Sequence, residues 1–412
     1  MPRQDDTQDN ENKGPLAGLR VVDFTHYVAG PIGSMLLADA GADVIKVEKP
    51  AGDDQRHIGL RDERLDGEGA AFLWNNRNKR SITLDLSTDA ARLIAANLIS
   101  TADIVIENFS SRVMEKFGLT YEILSKGNPR LIYCSVSAYG RTGASSARVG
   151  FDTIVQGESG FMSLTGHPDQ DGVKAGPPVM DIATGMMASN AMLMALLARE
   201  RTGRGQYVEV PLFDTAIFMT GFIAIQHLFS GKVPGRYGND SSDSVPSGVF
   251  PTADLPIFLT CTNTPIFRRL FTQVVPSPEL ADDPALQVVP GRLARRAEIT
   301  QCLSGAFKTM PRAHWMEKCA AAGVPAGEVR TLPEALNSVE ARERGLVRQI
   351  PHATVGTVPD IGTPIYLSDT PLVAPQGAPK LGASTEDVMK QWLRMSPYEI
   401  SAARQLGAFG KR

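Results

Sequence analysis

Along the first third of the chain, short β-rich hydrophobic runs alternate with stretches of helical spacing. Residues 19–24 (Leu-Arg-Val-Val-Asp-Phe) read as a strand, 34–40 as a helix that Gly41 can end, and 43–47 (Asp-Val-Ile-Lys-Val) as the next strand. A second cycle places a strand at 81–85, a helix at 89–99 capped by Ser87 or Thr88, and a strand at 103–107, and 131–135 adds a fifth. Strands separated by helical segments imply βαβ units and a mostly parallel sheet. The pattern then changes. A long apolar helix is expected over 181–197, a turn at 202–206, a strand at 207–210 and a further helix over 214–229. The polar loop 241–247 is of boundary type. Residues 248–330 read as a small α+β unit, with a strand at 257–260 and helices near 265–275, 296–309 and 312–322. Beyond Leu346 the chain reads as irregular and proline-rich before a last helix near 385–394, and no internal repeat is visible.

At roughly 100–200 residues per domain, 412 residues allow about two to four domains. The balance of 42 basic against 45 acidic side chains gives no global attraction to nucleic acid or an anionic membrane. A polyanionic ligand must therefore meet a local basic cluster. Cys134, Cys261, Cys302 and Cys319 are far apart and form no CxxC pair. That argues against a disulfide framework or a structural zinc site and fits a reducing cytoplasm. Residues 1–13 are polar, with no apolar core of a signal peptide, and 1–14 is expected to be a disordered tail. The apolar stretch 182–198 carries Thr184, Ser189 and Asn190, and 215–226 is shorter than the roughly 20 residues a membrane span needs, so both read as buried helices.

The first βαβ unit invites a dinucleotide reading, because Gly30 and Gly33 sit between strand and helix and Glu48 ends the next strand. The run Ala29-Gly-Pro-Ile-Gly33 is a poor match to G-x-G-x-x-G, and a tight turn for helix packing is the plainer reading. Basic residues cluster early: Lys46, Lys49, Arg56, Arg77, Lys79, Arg80, Arg112 and Lys116. Ligands of open parallel sheets bind beyond the strands' carboxyl ends. That brings forward Lys49, Asn108, Phe109 and Lys116 as surroundings for a phosphorylated, adenine-bearing ligand, although a solvated charged face explains the same spacing. Asp181, in Gly176-Pro-Pro-Val-Met-Asp-Ile-Ala-Thr-Gly185, starts an apolar helix. It reads either as a simple N-cap or as a carboxylate kept ionised as a nucleophile by the helix terminus. The six histidines are dispersed with no HExxH, and there is no GxSxG, so metal and serine-hydrolase chemistry have no support. Thr165-Gly-His167 and the 241–247 loop are further candidates for a pocket rim.

Several runs together resemble the class III CoA-transferases, a family that includes formyl-CoA:oxalate, L-carnitine and succinyl-CoA-dependent transferases and the related α-methylacyl-CoA racemases. They are Leu19-Arg-Val-Val-Asp-Phe-Thr-His-Tyr-Val-Ala-Gly-Pro31, Leu36-Leu-Ala-Asp-Ala-Gly-Ala-Asp-Val-Ile-Lys-Val-Glu-Lys-Pro50 and Asn76-Arg-Asn-Lys-Arg-Ser-Ile-Thr-Leu-Asp85. Ile106-Glu-Asn-Phe109, Thr202-Gly-Arg-Gly-Gln206 and Leu367-Ser-Asp-Thr-Pro371 continue the series. The resemblance implies that Asp181 is the family's catalytic aspartate, which forms a mixed anhydride and then an aspartyl-CoA thioester. It also implies CoA contacts at Val28, Ala29, Lys49, Leu84, Asn108, Phe109 and Lys116, with Asp152 at an acidic position and Arg148 beside Val149, where formyl-CoA transferase has a lysine. Val28 replaces that enzyme's glutamine, and 238–243 occupies the region of its glycine-rich lid. These departures make formyl/oxalate exchange doubtful.

Where the racemases carry a His-Asp pair, this chain has Gly150-Phe-Asp152, and Phe151 cannot move a proton, which favours transferase over racemase. The resemblance implies an α/β fold with a Rossmann-like parallel sheet in a large domain, a smaller α+β domain and an interlocked homodimer. Expected boundaries are 15–224 for the first part of the large domain, 225–330 for the small domain and 331–412 for a segment returning to the large one. CoA is expected as substrate and product, with no permanently bound cofactor or metal and no nucleic-acid or membrane partner. An acyl-CoA racemase, an NAD-dependent oxidoreductase and a non-catalytic acyl-CoA-binding protein are the alternatives. The acids are not identified by the sequence; Arg148, His26, Tyr27 and the 239–247 loop are the candidates to meet a second carboxylate.

Overall fold

In the computed structural model, residues 13–61, 63–65 and 68–410 are described, so the expectation for segment 1–12 lies outside them. The β-rich runs form six strands: β1 (Arg20–Asp23), β2 (Asp43–Glu48), β3 (Arg80–Thr83), β4 (Ile104–Glu107), β5 (Ile132–Ser137) and β6 (Tyr207–Pro211). They pair in the order β3-β2-β1-β4-β5-β6, every pair parallel. In register, Val22 faces Ile45 on one side and Val105 on the other. Strands buried on both faces need apolar residues at consecutive positions, and these runs supply them. Val22, Ile45, Ile82 and Val105 point into one core with α2 (Asp89–Ser100), which starts at the expected cap, Thr88 accepting from the Ala91 N–H. Val21, Val44, Ile104 and Ile132 point into the other, with α1 (Ala29–Asp39) and α4 (Val179–Thr202).

Helix α1 begins five residues before the expected start, so Gly30 and Pro31 lie in its first turn, where a proline removes no helical hydrogen bond. The glycines serve packing. A Cβ on Gly30 would fall 2.4 Å from the Thr25 side chain, and one on Gly185 of α4 would fall 2.6 Å from the Ala29 carbonyl. Glu48 is buried, and its oxygens are taken by Arg56 (two contacts of 2.7 Å) and Ser81 Oγ (2.6 Å). It is not available to a ribose, which corrects the dinucleotide reading. The run expected as one helix over 214–229 is two, α5 (Leu212–Met219) and Gly221–Ser230, with Gly221 in the left-handed region at φ 59°.

The chain forms two compact units. Among the described residues, the first comprises those within 13–161, 174–225 and 343–410. Its last stretch brings two helices, Thr385–Leu393 and Pro397–Gln405, whose Val388, Met389, Trp392 and Ile400 complete the core over β1–β3. The same stretch holds a hairpin, Val347–His352 with Gly356–Ile361, where the sequence reads as irregular. Two internal prolines, Pro351 and Pro359, hide this pair from a propensity reading. The second unit comprises 162–173 and 226–342. In it a three-stranded antiparallel sheet (Ser247–Phe250, Ile257–Thr260, Ala326–Glu328) packs with helices Arg296–Phe307 and Arg312–Ala322 around Phe267, Phe271, Phe307 and Trp315. Segment 162–173 belongs there because the Arg236 guanidinium donates to the carbonyls of Ser163, His167 and Gln170.

Candidate active site at the switch point of the sheet

Successive strands run outward in one direction from β1 and in the other from β4, so the carboxyl ends of β1 and β4 bound a crevice of the kind in which open α/β sheets bind ligands. The loops leaving these two strands are clamped together. Asn108 accepts from the His26 N–H at 2.8 Å and donates to the His26 carbonyl at 2.8 Å. Tyr27 then adopts a left-handed φ of 62°, its carbonyl held by Asn75 Nδ2 at 2.8 Å. This turn sets Val28 and Ala29 at the start of α1. Beneath the loop lies a buried charged platform. Asp23 binds Lys79 at 3.0 Å and Ser34 at 2.6 Å, and Lys46 bridges Asp53 (2.9 Å) and the Thr25 carbonyl (2.8 Å). Burial would raise Asp23, but Lys79 and Lys46 outweigh it and hold the carboxyl at about 2; burial lowers Lys79 to about 8. Removing either partner of such a pair would strand a buried charge, which makes the platform rigid.

Above it is a cavity of about 280 Å³ lined by Val28, Ala29, Phe109, Arg148, Phe151 and Asp181, among others. Asp181 stands in the first turn of α4. No side chain of that helix's own cap residue, Pro178, closes its N-terminus. Instead Asp152, the first residue of α3 (Asp152–Glu158), accepts from the Met180 N–H at 2.7 Å and the Asp181 N–H at 3.3 Å. Gln156, one turn further along α3, holds the other Asp152 oxygen at 2.5 Å and accepts from the Ala175 N–H at 2.8 Å. One carboxylate thus caps the helix from outside and, through Gln156, fixes the approach to Asp181. Burial, with the negative charge of Asp152 adding to it, raises the Asp181 carboxyl to about 7. A carboxylate that is less stabilised by water is a better nucleophile once ionised, and it gains its charge near neutral pH.

The candidate residues divide into groups. Val28, Ala29, Asn108, Phe109, Arg148 and Asp181 line the cavity. The Phe109 ring lies 5.0 Å from that of His26, while the amide of Asn108 is committed to the loop it clamps. Lys49 is on the exposed surface, 2.6 Å from Asp54, whose other oxygen is 3.4 Å from the Tyr27 hydroxyl. Asp152 is buried under the site, and its oxygens are occupied by α4 and Gln156. Leu84 is a core residue at 1% exposure, and its side chain packs between sheet and α2. Lys116 is exposed on helix Val113–Phe117. The 239–247 loop and 165–167 fall in the second unit.

Sequence reasoning passed over Arg141, Tyr139 and Gln156. Arg141 ties the ends of β4 and β5 together: it pairs with Glu107 at 2.9 Å and donates to Ser135 Oγ at 2.7 Å and the Phe109 carbonyl at 2.8 Å. The strand-end rule that brought Asn108 forward also applies after β5, and Tyr139-Gly-Arg141 is the run it selects. Gln156 follows Asp152 by one helical turn, the spacing at which side chains meet. The Phe151 and Tyr27 rings meet edge-on with centroids 5.7 Å apart, and Phe151 gives the cavity that Asp181 also lines an apolar wall. Among the described residues no group of three or more His, Cys, Asp or Glu is placed to hold a metal ion.

A parallel sheet with a carboxylate-bearing helix and a cavity at its switch point is the architecture of a ligand-binding α/β protein, and comparison with known proteins gives its family. Residues 16–385 match the family CoA-transferase family III, and the chain belongs to it. It is 38% identical to the succinate–glutarate CoA-transferase of Agrobacterium fabrum, covering 92% of this chain and 96% of that one. It is 36% identical to the acetyl-CoA:oxalate CoA-transferase of Acetobacter aceti, with the same coverage. A crystal structure of a CaiB/BaiF family protein from Brucella suis superposes with a TM-score of 0.80 at 37% identity, over 92% of this chain and 100% of that one. The protein is therefore a CoA-transferase, with an acyl-CoA and a carboxylic acid as its classes of substrate.

Proposed function

We propose that the enzyme moves CoA between an acyl-CoA and a small dicarboxylic acid through covalent intermediates on Asp181. The observation that carries this reading is the placement of Asp181: a half-buried carboxylate in the first turn of α4, opening into a cavity that has an apolar wall. The ionised carboxylate attacks the thioester carbonyl, the CoA thiolate leaves, and a mixed anhydride forms. The thiolate then attacks the aspartyl carbonyl of the anhydride, releasing the donor acid and leaving an aspartyl-CoA thioester. The acceptor carboxylate attacks that thioester, again expelling thiolate and forming a second anhydride. Thiolate attack on the acceptor's carbonyl gives the new acyl-CoA and returns Asp181 as a carboxylate. Each step exchanges one acyl leaving group for another of similar energy, so no metal or redox group enters. The relatives' names, which carry glutarate and oxalate, support a short dicarboxylic acceptor.

Val28, Ala29 and Phe109 would flank the thioester arm, and Lys49 at the exposed rim would meet the nucleotide phosphates. We further propose a cytoplasmic homodimer. The unpaired cysteines suit a reducing compartment. Met194, Leu197, Phe218 and Phe222 leave apolar surface exposed on α4 and the helices after it, as a subunit interface would require, and sedimentation equilibrium measures the mass directly. The mechanism is tested by Asp181→Ala, which is expected to lose turnover with every acyl-CoA and acid pair. Intact-mass analysis should find a CoA adduct on the parent after incubation with acyl-CoA; hydroxylamine should release that CoA and leave a hydroxamate at Asp181, and borohydride should release it and leave the reduced alcohol there. Turnover surviving in Asp181→Ala would refute the covalent route.

A further inference from the structure

Two guanidinium groups line the cavity among the described residues, and they are differently engaged. Arg141 is engaged at every nitrogen: Nε, Nη1 and Nη2 between them meet Glu107, Ser135 Oγ and the carbonyls of Phe109 and Val136. Arg148 is not. Its guanidinium lies over the Tyr139 ring, 4.3 Å from the centroid, and Nη2 donates to Glu158 Oε1 at 2.5 Å. Glu158 is itself fixed by the Tyr139 hydroxyl at 2.7 Å and does not line the cavity, so it steers Arg148 from behind. The remaining donors, Nε and Nη1, are left for a ligand, and the side chain is 49% exposed. His26 adds no competing charge, because burial, with Lys46 adding, lowers it below its ordinary value and keeps the imidazole neutral. A rigid planar fork stacked on an aromatic ring is the arrangement that binds a carboxylate in a fixed orientation.

We propose that Arg148, seated on Tyr139 and Glu158, is the specificity residue that holds the acceptor's second carboxylate while the first reacts at Asp181. The inference rests on the covalent reading above and deepens it, since it says why a dicarboxylic acid would be chosen over a monocarboxylic acid of equal length. Selection arises because a monocarboxylate leaves the guanidinium without its partner, while a dicarboxylate gains a charge-assisted pair.

The test compares glutarate and succinate with valerate and butyrate as acceptors, using acetyl-CoA as donor, for the parent, Arg148→Gln, Arg148→Lys and Asp181→Ala. The parent is expected to favour the dicarboxylates. Arg148→Gln should lower kcat/KM for them by about 10–100-fold through KM, the size expected for one charged hydrogen-bonded pair. It should change the monocarboxylates less than two-fold and leave the KM for acyl-CoA unmoved. Arg148→Lys should recover part of the loss, because it keeps the charge without the fork. A parent that prefers monocarboxylates, or that turns over no dicarboxylate, overturns the proposal. So does an Arg148→Gln enzyme in which both acid classes fall together, or in which the acyl-CoA KM rises as much as the acceptor's, since the cation then serves CoA. Activity in Asp181→Ala refutes the covalent reading instead, and an inactive Asp181→Ala beside an unaffected Arg148→Gln refutes this inference alone.

Discussion

Asp181 and Asp152 show how one residue type takes two roles by position. Asp152 accepts two backbone N–H groups and a glutamine amide, whereas Asp181 faces the cavity and is raised to about 7 by burial and by its neighbour. If the ionised form is the nucleophile, kcat/KM climbs as pH rises through about 7 and levels above it. Replacing Asp152 by Asn keeps an oxygen to cap α4 but removes the negative charge that disfavours ionisation of Asp181. The acidic limb of the pH–rate profile should then move to lower pH. A limb that stays in place would remove Asp152 from the tuning, whatever happens to the maximal rate. Asp181 could be picked out of the sequence as a helix-start carboxylate, but a plain cap fits that pattern equally well. The structure separates the two, because the cap comes from a residue 29 positions away.

Helices α1 and α4 approach closely enough that each presents glycine to the other. A Cβ on Gly33 would meet the Gly185 carbonyl at 3.2 Å, and one on Gly185 would meet the Ala29 carbonyl at 2.6 Å and Ile32 Cβ at 2.8 Å. Because Val28 and Ala29 open α1 and Asp181 opens α4, this contact sets the distance between the loop and the nucleophile. Gly185→Ala should push the helices apart, destabilising the protein by about 1–3 kcal/mol as overpacking does. It should lower kcat with no new polar interaction to account for the loss; urea unfolding and initial rates measure the two effects. Element type was legible where periodicity was strong, as at β1–β6 and α2. It failed for the hairpin Val347–His352 with Gly356–Ile361, whose strands carry proline and leave many side chains exposed. Partner strands decide such a pair, and local propensity does not.

The closing stretch of the chain is part of the unit that carries the site. Arg77, at 1% exposure, joins Asp39 at the end of α1 (2.6 Å), Asp360 of the hairpin (2.9 Å) and Thr363 (2.6 Å). A single guanidinium therefore binds two segments that are remote from each other and from Arg77 in sequence. Arg77→Ala would leave the buried Asp39 without its cation and Asp360 with Arg348 alone, and a loss of about 3–5 kcal/mol is expected from such a break. Denaturant unfolding followed by tryptophan fluorescence should show it, since Trp392 packs in the core that this stretch completes. A change below about 1 kcal/mol would mean that the charges are solvated in the native state.

The sequence by itself determined the alternation of strand and helix, the parallel sheet, the family through its ordered motifs, and Asp181 as the carboxylate to watch. Those features are local, written in hydrophobic period and in short runs whose residues touch their neighbours in the chain. Tertiary structure alone decided that Asp152 lies under the site instead of in it, that Glu48 belongs to Arg56, and that Leu84 is core. It also decided that Arg148 keeps two of its nitrogens for a ligand where every nitrogen of Arg141 meets a partner. A side chain's charge and hydrogen-bonding capacity are fixed by its identity, but what remains of them for a ligand depends on the partners that distant segments bring, and those partners exist only once the sheet has closed around its switch point.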